Sequence, residues 1–302
     1  MNQHILISGA TGMLGRHLID TLLQLGYKVS ILSRKPQRIN HVQVYLWDVK
    51  KREIDPACLS GVDTVIHLAG ENISSERWTK KRKKEIIDSR VASMHLLFKI
   101  IAGQGNQVKN FITAAAVGYY GDRGDEVLTE RSQPGEGFLA ECCKLWEKAA
   151  DQGEALGIRL VKIRTGVALS KESGALAAMA VPLKFFAGAP LGTGRQWIPW
   201  IHYQDMTNIY LHLISSPHLQ GTYNAAAPCP VTNNTFTKAL AKMLHRPVWP
   251  FSVPTVMMKL IMGEMSEIVL NSTKTSVQKL LDTGFVFKYN QLEDALSDIY
   301  RA

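Results

Sequence analysis

Three glycines near the N-terminus carry the clearest chemistry in the chain. Gly9, Gly12 and Gly15 stand in ILISGATGMLGRHLI, between a strand-like run ending at Ser8 and a helical run starting near Met13. Glycine lets a backbone turn tightly and approach a ligand closely. The free N–H groups at the start of a helix, reinforced by its dipole, favour negative charge. A GxxGxxG spacing in this context predicts a pyrophosphate cradle, with a dinucleotide held against Gly9, Thr11, Gly12, Met13, Leu14 and Gly15. The end of the second strand then decides which dinucleotide: an acid there hydrogen-bonds the ribose hydroxyls of NAD, whereas cations accommodate the extra phosphate of NADP. Here the chain reads ILSRKPQR, in which Ser33, Arg34 and Lys35 offer a hydroxyl and two cations and no carboxylate. Arg16 adds a further cation, and NADP is expected in preference to NAD.

Groups able to move protons or hold a substrate lie further along. Tyr119 and Tyr120 follow the fifth predicted strand, near the expected nicotinamide, and either can supply a phenol; the alternative is that both rings pack the loop. His202 is suited to acid–base work near neutral pH, or else is structural. Asp205 precedes an apolar helical run and reads as a helix N-cap. Arg195, Trp197 and Trp200 suit a flat or anionic ligand, and core packing explains the two indoles equally well. Glu71, Asn72 and Arg77 follow a strand end and are placed to touch a substrate. The run Lys80 to Lys84 opens a helix capped by Thr79, where cations oppose the dipole; it reads as a solvated face, with a substrate phosphate as the alternative.

These residues need a scaffold, and the pattern supplies one. Candidate strands HILIS, KVSILS, VQVYL, DTVIHLA, NFITAAA and RLVKIRT alternate with amphipathic helical runs, with Gly26 a stop signal after the first helix. Six parallel strands with intervening helices predict an α/β, Rossmann-like, doubly wound sheet, whose ligands bind at the carboxyl ends of the strands. After about Thr165 the chain turns to Gly-, Pro- and Trp-rich loops and helices. The expected division is therefore a dinucleotide-binding domain over 1–165 and a smaller C-terminal substrate lobe over 166–302, some segments of which can return to the sheet.

Composition narrows the classes. Hydrophobic residues make up 46% and charged residues 20% of the 302 residues, an ordinary globular balance. No apolar run approaches the roughly 20 residues of a spanning helix, and no secretory signal opens the chain, so a cytoplasmic protein without a membrane partner is expected. Cys58, Cys142, Cys143 and Cys229 show no metal-ligand spacing and read as reduced thiols, with no metal expected. The net charge of +9 favours anionic partners, but no nucleic-acid-binding motif accompanies it, and a nucleic-acid partner is not expected.

GATGMLG, WDV at 47–49, VIHLAG at 65–70 and AVGYYG at 116–121 resemble the extended short-chain dehydrogenase/reductase superfamily. ENISSERWTKKRKKEIIDSRV, GTGRQWIPWIHYQD, the pair Gly263–Glu264 and the terminal GFVFKY are similar, more narrowly, to nucleoside-diphosphate-sugar epimerase-like proteins with a C-terminal domain of unknown function. The resemblance implies that Asp48 and Val49 meet the adenine, although a turn carboxylate explains Asp48 as well. It also implies that Leu68, Ala69 and Gly70 line the dinucleotide path; Ala114, Ala115 and Arg164 complete the expected cofactor set. Superfamily members transfer hydride with a serine, a tyrosine and a lysine four positions after the tyrosine. Aligning AECCKLWE through Glu147 places Leu139 and Cys143 at the last two positions and Ala115 near the first. Lys144 is one step away, but one helical step turns a side chain by about 100°. The resemblance thus points to an NADP-dependent oxidoreductase or epimerase-like enzyme for a small or nucleotide-linked substrate, with an unusual proton-transfer group and an expected homodimer. The rival is an NADP(H)-binding sensor or scaffold without turnover.

Overall fold

The most apolar runs of the sequence form the innermost strands. A computed structural model of the chain describes residues 3–103 and 107–301. It opens with β1 (His4–Ser8), buried at every position as a strand covered on both faces must be. In α1 (Met13–Gln24), Leu14, Leu18, Ile19 and Leu22 turn to the sheet, and Gly26, at φ +81°, follows its end. Then come β2 (Lys28–Ser33), β3 (Val42–Asp48), the short β4 (Glu53–Ile54) and β5 (Thr64–His67). The long α2 (Lys80–Gly103) starts where Thr79 Oγ1 accepts the N–H of Arg82 at 3.1 Å. It leads to β6 (Asn110–Ala116), β7 (Val127–Leu128), α3 (Phe138–Ala150), α4 (Gln152–Ala155) and β8 (Arg159–Thr165).

Beyond Thr165 the chain does not leave the sheet for good. After β9 (Val167–Leu169), α5 (Gly174–Lys184), β10 (Trp197–Ile198), β11 (Trp200–His202) and α6 (Tyr203–Ser215), it returns as β12 (Gly221–Ala225), which pairs parallel with β8. The main sheet has eight strands in the order β12-β8-β6-β5-β1-β2-β3-β4, all neighbours parallel except the β3–β4 hairpin. The seventh parallel strand escapes sequence patterning because GTYNA mixes a positive-φ glycine and a buried asparagine into five residues. Helices α1 and α6 cover one face of the sheet, α2 and α3 the other. The remaining segments include α7 (Asn233–Met243), α8 (Thr255–Met262), α9 (Glu267–Leu270), α10 (Gln278–Leu281) and α11 (Leu292–Arg301). A separate core joins α5, α7 and α11 around Trp200 and Phe236. Among the described residues, no helix is long and apolar enough to cross a membrane. All four cysteines are free thiols, three of them buried.

Candidate active site

The sheet order fixes where a ligand binds. From β1 the chain winds to β2 and β3 on one side, then crosses to β5, β6, β8 and β12 on the other, so the switch lies between β1 and β5. The register aligns Ser8 with Leu32 and His67, and the glycine loop leaves β1 at that edge. Gly9 has φ +72°, and a Cβ there would lie 2.6 Å from the carbonyl carbon of Leu68. A Cβ on Gly15 would lie 2.6 Å from Ala10 Cα. These two glycines let the loop press on the segment after β5 and the helix press on the loop. A Cβ on Gly12 meets only Gly9 O, at 3.3 Å, so its approach is open. Gly12 caps α1 without a side-chain hydrogen bond, and no acid stands in the first turn. The N–H groups of Met13, Leu14 and Gly15 therefore have no acceptor within the helix, which fits a pyrophosphate. Leu14 is buried in the core, so only its backbone faces a ligand; Thr11 is exposed, and its carbonyl accepts from Arg16 Nε at 3.1 Å.

At the tip of β2, Ser33 Oγ donates to Lys35 O at 2.7 Å and closes the turn, while the Arg34 side chain remains 76% exposed. Its Nη1 lies 3.0 Å from Glu71 Oε1, and Glu71 Oε2 lies 3.5 Å from Arg82 Nη2. The structure thus joins Arg34, expected at the cofactor, to Glu71, expected at the substrate. Asp48 Oδ1 accepts from Lys51 N–H at 3.1 Å, the turn-closing role, and Val49 packs on the α2 side of the sheet. Leu68 N–H donates to Ser8 O at 3.1 Å, and Gly70 lies against the Arg90 guanidinium. Beneath the loop, buried His67 holds Ser8 Oγ at 2.6 Å and Ser93 Oγ at 3.0 Å. Burial pushes its pKa down to about 3. Sequence reasoning missed this pair of contacts, although HLAG sat inside a recognised motif.

Several expected site residues have other tasks. Arg164, read as a cofactor contact, is 3% exposed and grips Glu147 through two bonds of 2.7 and 2.9 Å. Its Nη1 also donates to Tyr120 Oη at 2.9 Å, and Tyr120 in turn donates to Asn224 Oδ1 at 2.7 Å. Tyr120 is fully buried, that burial being the main cause that pushes its pKa up to about 12, and it links Arg164 to Asn224 of β12. Tyr119 is half-buried, with its ring 3.5 Å from the Arg164 guanidinium. Ala114 is half-buried and Ala115 buried at the end of β6. The Leu139 and Cys143 side chains crowd Gly118 of the following turn, 3.3 and 3.6 Å from where its Cβ would stand. Lys144 instead pairs outward with Glu141 at 2.6 Å.

His202 is also not a surface acid or base. It is fully buried, its Nδ1 accepts from Gln204 N–H at 3.1 Å to cap α6, and its Nε2 lies 3.3 Å from Asp298 of α11. Burial pushes its pKa down to about 4. The cap expected of Asp205 is thus made by His202, while Asp205 accepts from the N–H groups of Lys288 and Tyr289 at 2.8 and 2.9 Å. Trp200 is buried in the second core and donates to Cys229 O at 3.0 Å, so core packing is its role. The cationic run is not a uniform solvated face. Arg82 is buried and ties down the 72–75 loop through Asn72 O at 2.7 Å and Ser75 Oγ at 3.0 Å, because the loop folds back over the first turn of α2. Asn72 also closes its own turn onto Ser74 N–H at 2.8 Å. Arg77 reaches the carbonyls of Leu260 and Ile261 at the end of α8, and Lys83 pairs with Glu264. These contacts bring the C-terminal helices to the crevice. Beside them opens a cavity of about 740 Å³ whose wall includes Arg195 and Asp125; Trp197 Nε1 donates to that aspartate at 2.6 Å.

Residues 5–226 match the model of the NAD dependent epimerase/dehydratase family. The chain belongs to that family. Residues 253–299 match a domain of unknown function, DUF1731. The epimerase family protein YfhF of Bacillus subtilis is 37% identical over 98% of this chain and 97% of its own. The human epimerase family protein SDR39U1, solved with NADPH, superposes with a TM-score of 0.86 at 28% identity, covering 99% of each chain. A nucleoside-diphosphate sugar epimerase from Corynebacterium glutamicum gives 0.82 at 33% identity, covering 99% of this chain and 58% of that one. The epimerase family match extends past Thr165 through β12, in line with the sheet, and the crevice at the glycine loop belongs to a nicotinamide-dinucleotide-binding fold.

Proposed function

We propose that this epimerase-family chain binds NADP(H) and acts as an oxidoreductase or epimerase-like enzyme on a small or nucleotide-linked substrate. The observation that carries the cofactor choice is the tip of β2, where an exposed Arg34 stands with Lys35 and no carboxylate follows Ser33. A 2′-phosphate there takes the place of Glu71 as the partner of Arg34, with charge-assisted bonds stronger than neutral ones. The amides at the start of α1 hold the pyrophosphate, and Arg90 behind Gly70 keeps the 68–70 segment in place through its bond to Glu71 O at 3.0 Å. When bound, the dinucleotide gives or takes a hydride. This chain must supply the proton, and the half-buried Tyr119, set against the Arg164 cation, is the phenol we assign to that role. A second reading, a sensor without turnover, is favoured by the apolar packing of Leu139 and Cys143 where the superfamily places its tyrosine and lysine.

Calorimetry on the cofactor-stripped protein tests the first step. NADPH is expected to bind more tightly than NADH, and Arg34→Asp is expected to weaken NADPH by about tenfold or more while sparing NADH. Equal losses for both would remove the NADP assignment. A panel of carbonyl compounds and sugar nucleotides, followed by reduced-nicotinamide absorbance and product analysis, separates the enzyme from the sensor.

A further inference from the structure

We propose that the lobe carrying α5, α7 and α8 rests on an anionic lipid bilayer, with α8 and a neighbouring aromatic cluster as the apolar contact and lysines and arginines meeting the headgroups. One face of α8 lies in solvent. Val256, Met257, Leu260 and Ile261 recur at i, i+1, i+4 and i+5, which is a single helix face, and each is half exposed or more, Leu260 by 75%. Of the rest of α8, Met258 is buried, and Thr255 and Lys259 line the cavity. The aromatic cluster comes just before this helix. Segments 186–192 and 249–253 run side by side, joined by Trp249 N–H to Gly188 O and Val253 N–H to Pro190 O, both at 2.8 Å, and α8 starts two residues later. Phe185, Phe186, Trp249 and Phe251 are all exposed there, Phe185 by 79%. The Trp249 and Phe251 rings meet edge-on, 5.1 Å apart; Trp249 Nε1 donates to Phe186 O at 2.9 Å, and the Arg246 guanidinium lies 4.7 Å from the Phe186 ring. Phe186 has φ +60°, a left-handed conformation rare for a bulky side chain. The backbone is therefore strained at a place where two adjacent phenyl rings stand in water, with no core contact to offset the strain.

Charge decides what covers this surface. From Ser173 to Gly263 the chain carries six lysines and arginines but one carboxylate, Asp205, which is buried and bonded to backbone N–H groups. Lys184 precedes Phe185, Lys259 stands on α8, and both are exposed; Arg246 lies on Phe186. Arg77 brings a further cation to the end of α8, and Glu264, just beyond that end, is paired with Lys83. Apolar side chains among cations, with no exposed acid in the whole stretch, match acyl chains beneath anionic headgroups. A second copy of this chain matches poorly, because a two-fold contact would set the same cations against each other. A groove for a partner helix keeps its apolar side chains partly covered, whereas Phe185 and Leu260 project. The expectation of no membrane partner came from the lack of a spanning segment and a secretory signal, and a surface contact needs neither.

Vesicle sedimentation with the full chain tests this without reference to any cofactor. The protein is mixed with vesicles of phosphatidylcholine alone, or of phosphatidylcholine with phosphatidylglycerol, at low and high salt. It is expected to bind the phosphatidylglycerol vesicles more tightly by about tenfold or more, and less tightly as salt rises. Leu260→Glu/Ile261→Glu and Phe185→Ser/Phe251→Ser are each expected to weaken that binding by about tenfold or more, and Lys184→Gln/Lys259→Gln by about tenfold. These side chains are all exposed, so thermal unfolding should match the parent, which shows that the variants are folded. Leu25→Glu/Val286→Glu adds the same two charges at exposed apolar positions beside the first core, and it should change binding by less than about threefold. Binding that survives either apolar pair of substitutions, equal binding to both kinds of vesicle, an equal loss in Leu25→Glu/Val286→Glu, or no binding at all would each overturn the proposal. So would a lipid-free dimer in analytical ultracentrifugation that Leu260→Glu/Ile261→Glu splits, because the surface would then belong to a second copy.

Discussion

The crevice at the glycine loop and the cavity beneath the C-terminal helices are built by opposite means. In the crevice the unpaired donors are main-chain amides of consecutive residues, and the shape comes from Gly9 and Gly15, where a side chain would strike backbone at 2.6 Å. The cavity wall is drawn from residues 122–125, 193–196 and 255–272. The first depends on backbone conformations that few residue types can adopt, the second on contacts between distant segments. Local geometry therefore tolerates almost no substitution at a few positions, whereas the assembled wall spreads its requirements over many.

The sharpest test of that contrast lies within the loop itself. Gly9→Ala forces both a positive φ and a backbone clash, and it is expected to lower unfolding stability by about 3 kcal/mol and abolish NADPH binding. Gly12→Ala adds a methyl group where only Gly9 O stands, at 3.3 Å. It should lower stability by about 1 kcal/mol or less while weakening NADPH by about tenfold, because the methyl occupies the phosphate's approach. Urea unfolding and calorimetry on both variants check this, and equal destabilisation by the two would break the division of roles among the glycines.

The same contrast explains what the sequence disclosed. The six strands, the helices between them and the tight strand-to-helix turn at Gly9 to Gly15 follow from short-range periodicity and from glycine's conformational freedom, so they were legible. The return of β12 was only allowed for, since nothing in GTYNA announces a strand until β8 is beside it. The pairing of Arg164 with Glu147 was not legible, because a strand end that faces a ligand and one that faces a buried acid look alike in sequence. The clue was a glutamate, Glu147, on the apolar face of its helix. Gln196 and Glu267 of the cavity wall lie 71 residues apart in the chain, and no spacing rule links them.

Acid should act on both regions through buried histidines, by different margins. His67 under the loop and His202 at the end of β11 have folded pKa values of about 3 and about 4, below the ordinary 6.5. The unfolded chain therefore takes up protons first as the pH falls. Stability is full above pH 6.5 and drops below it, each histidine adding a slope of about 1.4 kcal/mol per pH unit. The contribution of His202 ends near pH 4 and that of His67 near pH 3. His202 stops earlier because Asp298, at 3.3 Å, favours its charged form. Urea midpoints between pH 7.5 and 4.5 should fall less steeply in His67→Gln and in His202→Gln. An unchanged slope in either variant would mean that the histidine in question is already protonated in the native protein.

The smallest effect is expected at Lys144, the cation that chain position brings nearest to the superfamily's lysine. Its pair with Glu141 joins side chains that are 42% and 52% exposed, an arrangement worth at most a few tenths of a kcal/mol. Lys144→Ala should therefore leave stability within about 0.5 kcal/mol and NADPH affinity unchanged, and any turnover found in the substrate panel should survive it. Tyr119→Phe, which removes the half-buried phenol beside Arg164, should abolish the same turnover while NADPH still binds. If Lys144→Ala were the variant that silenced the reaction, α3 would have to present a different face to the crevice from the one that packs Leu139 and Cys143 against Gly118. The proton would then come from the helix, as in the rest of the superfamily, and not from the loop.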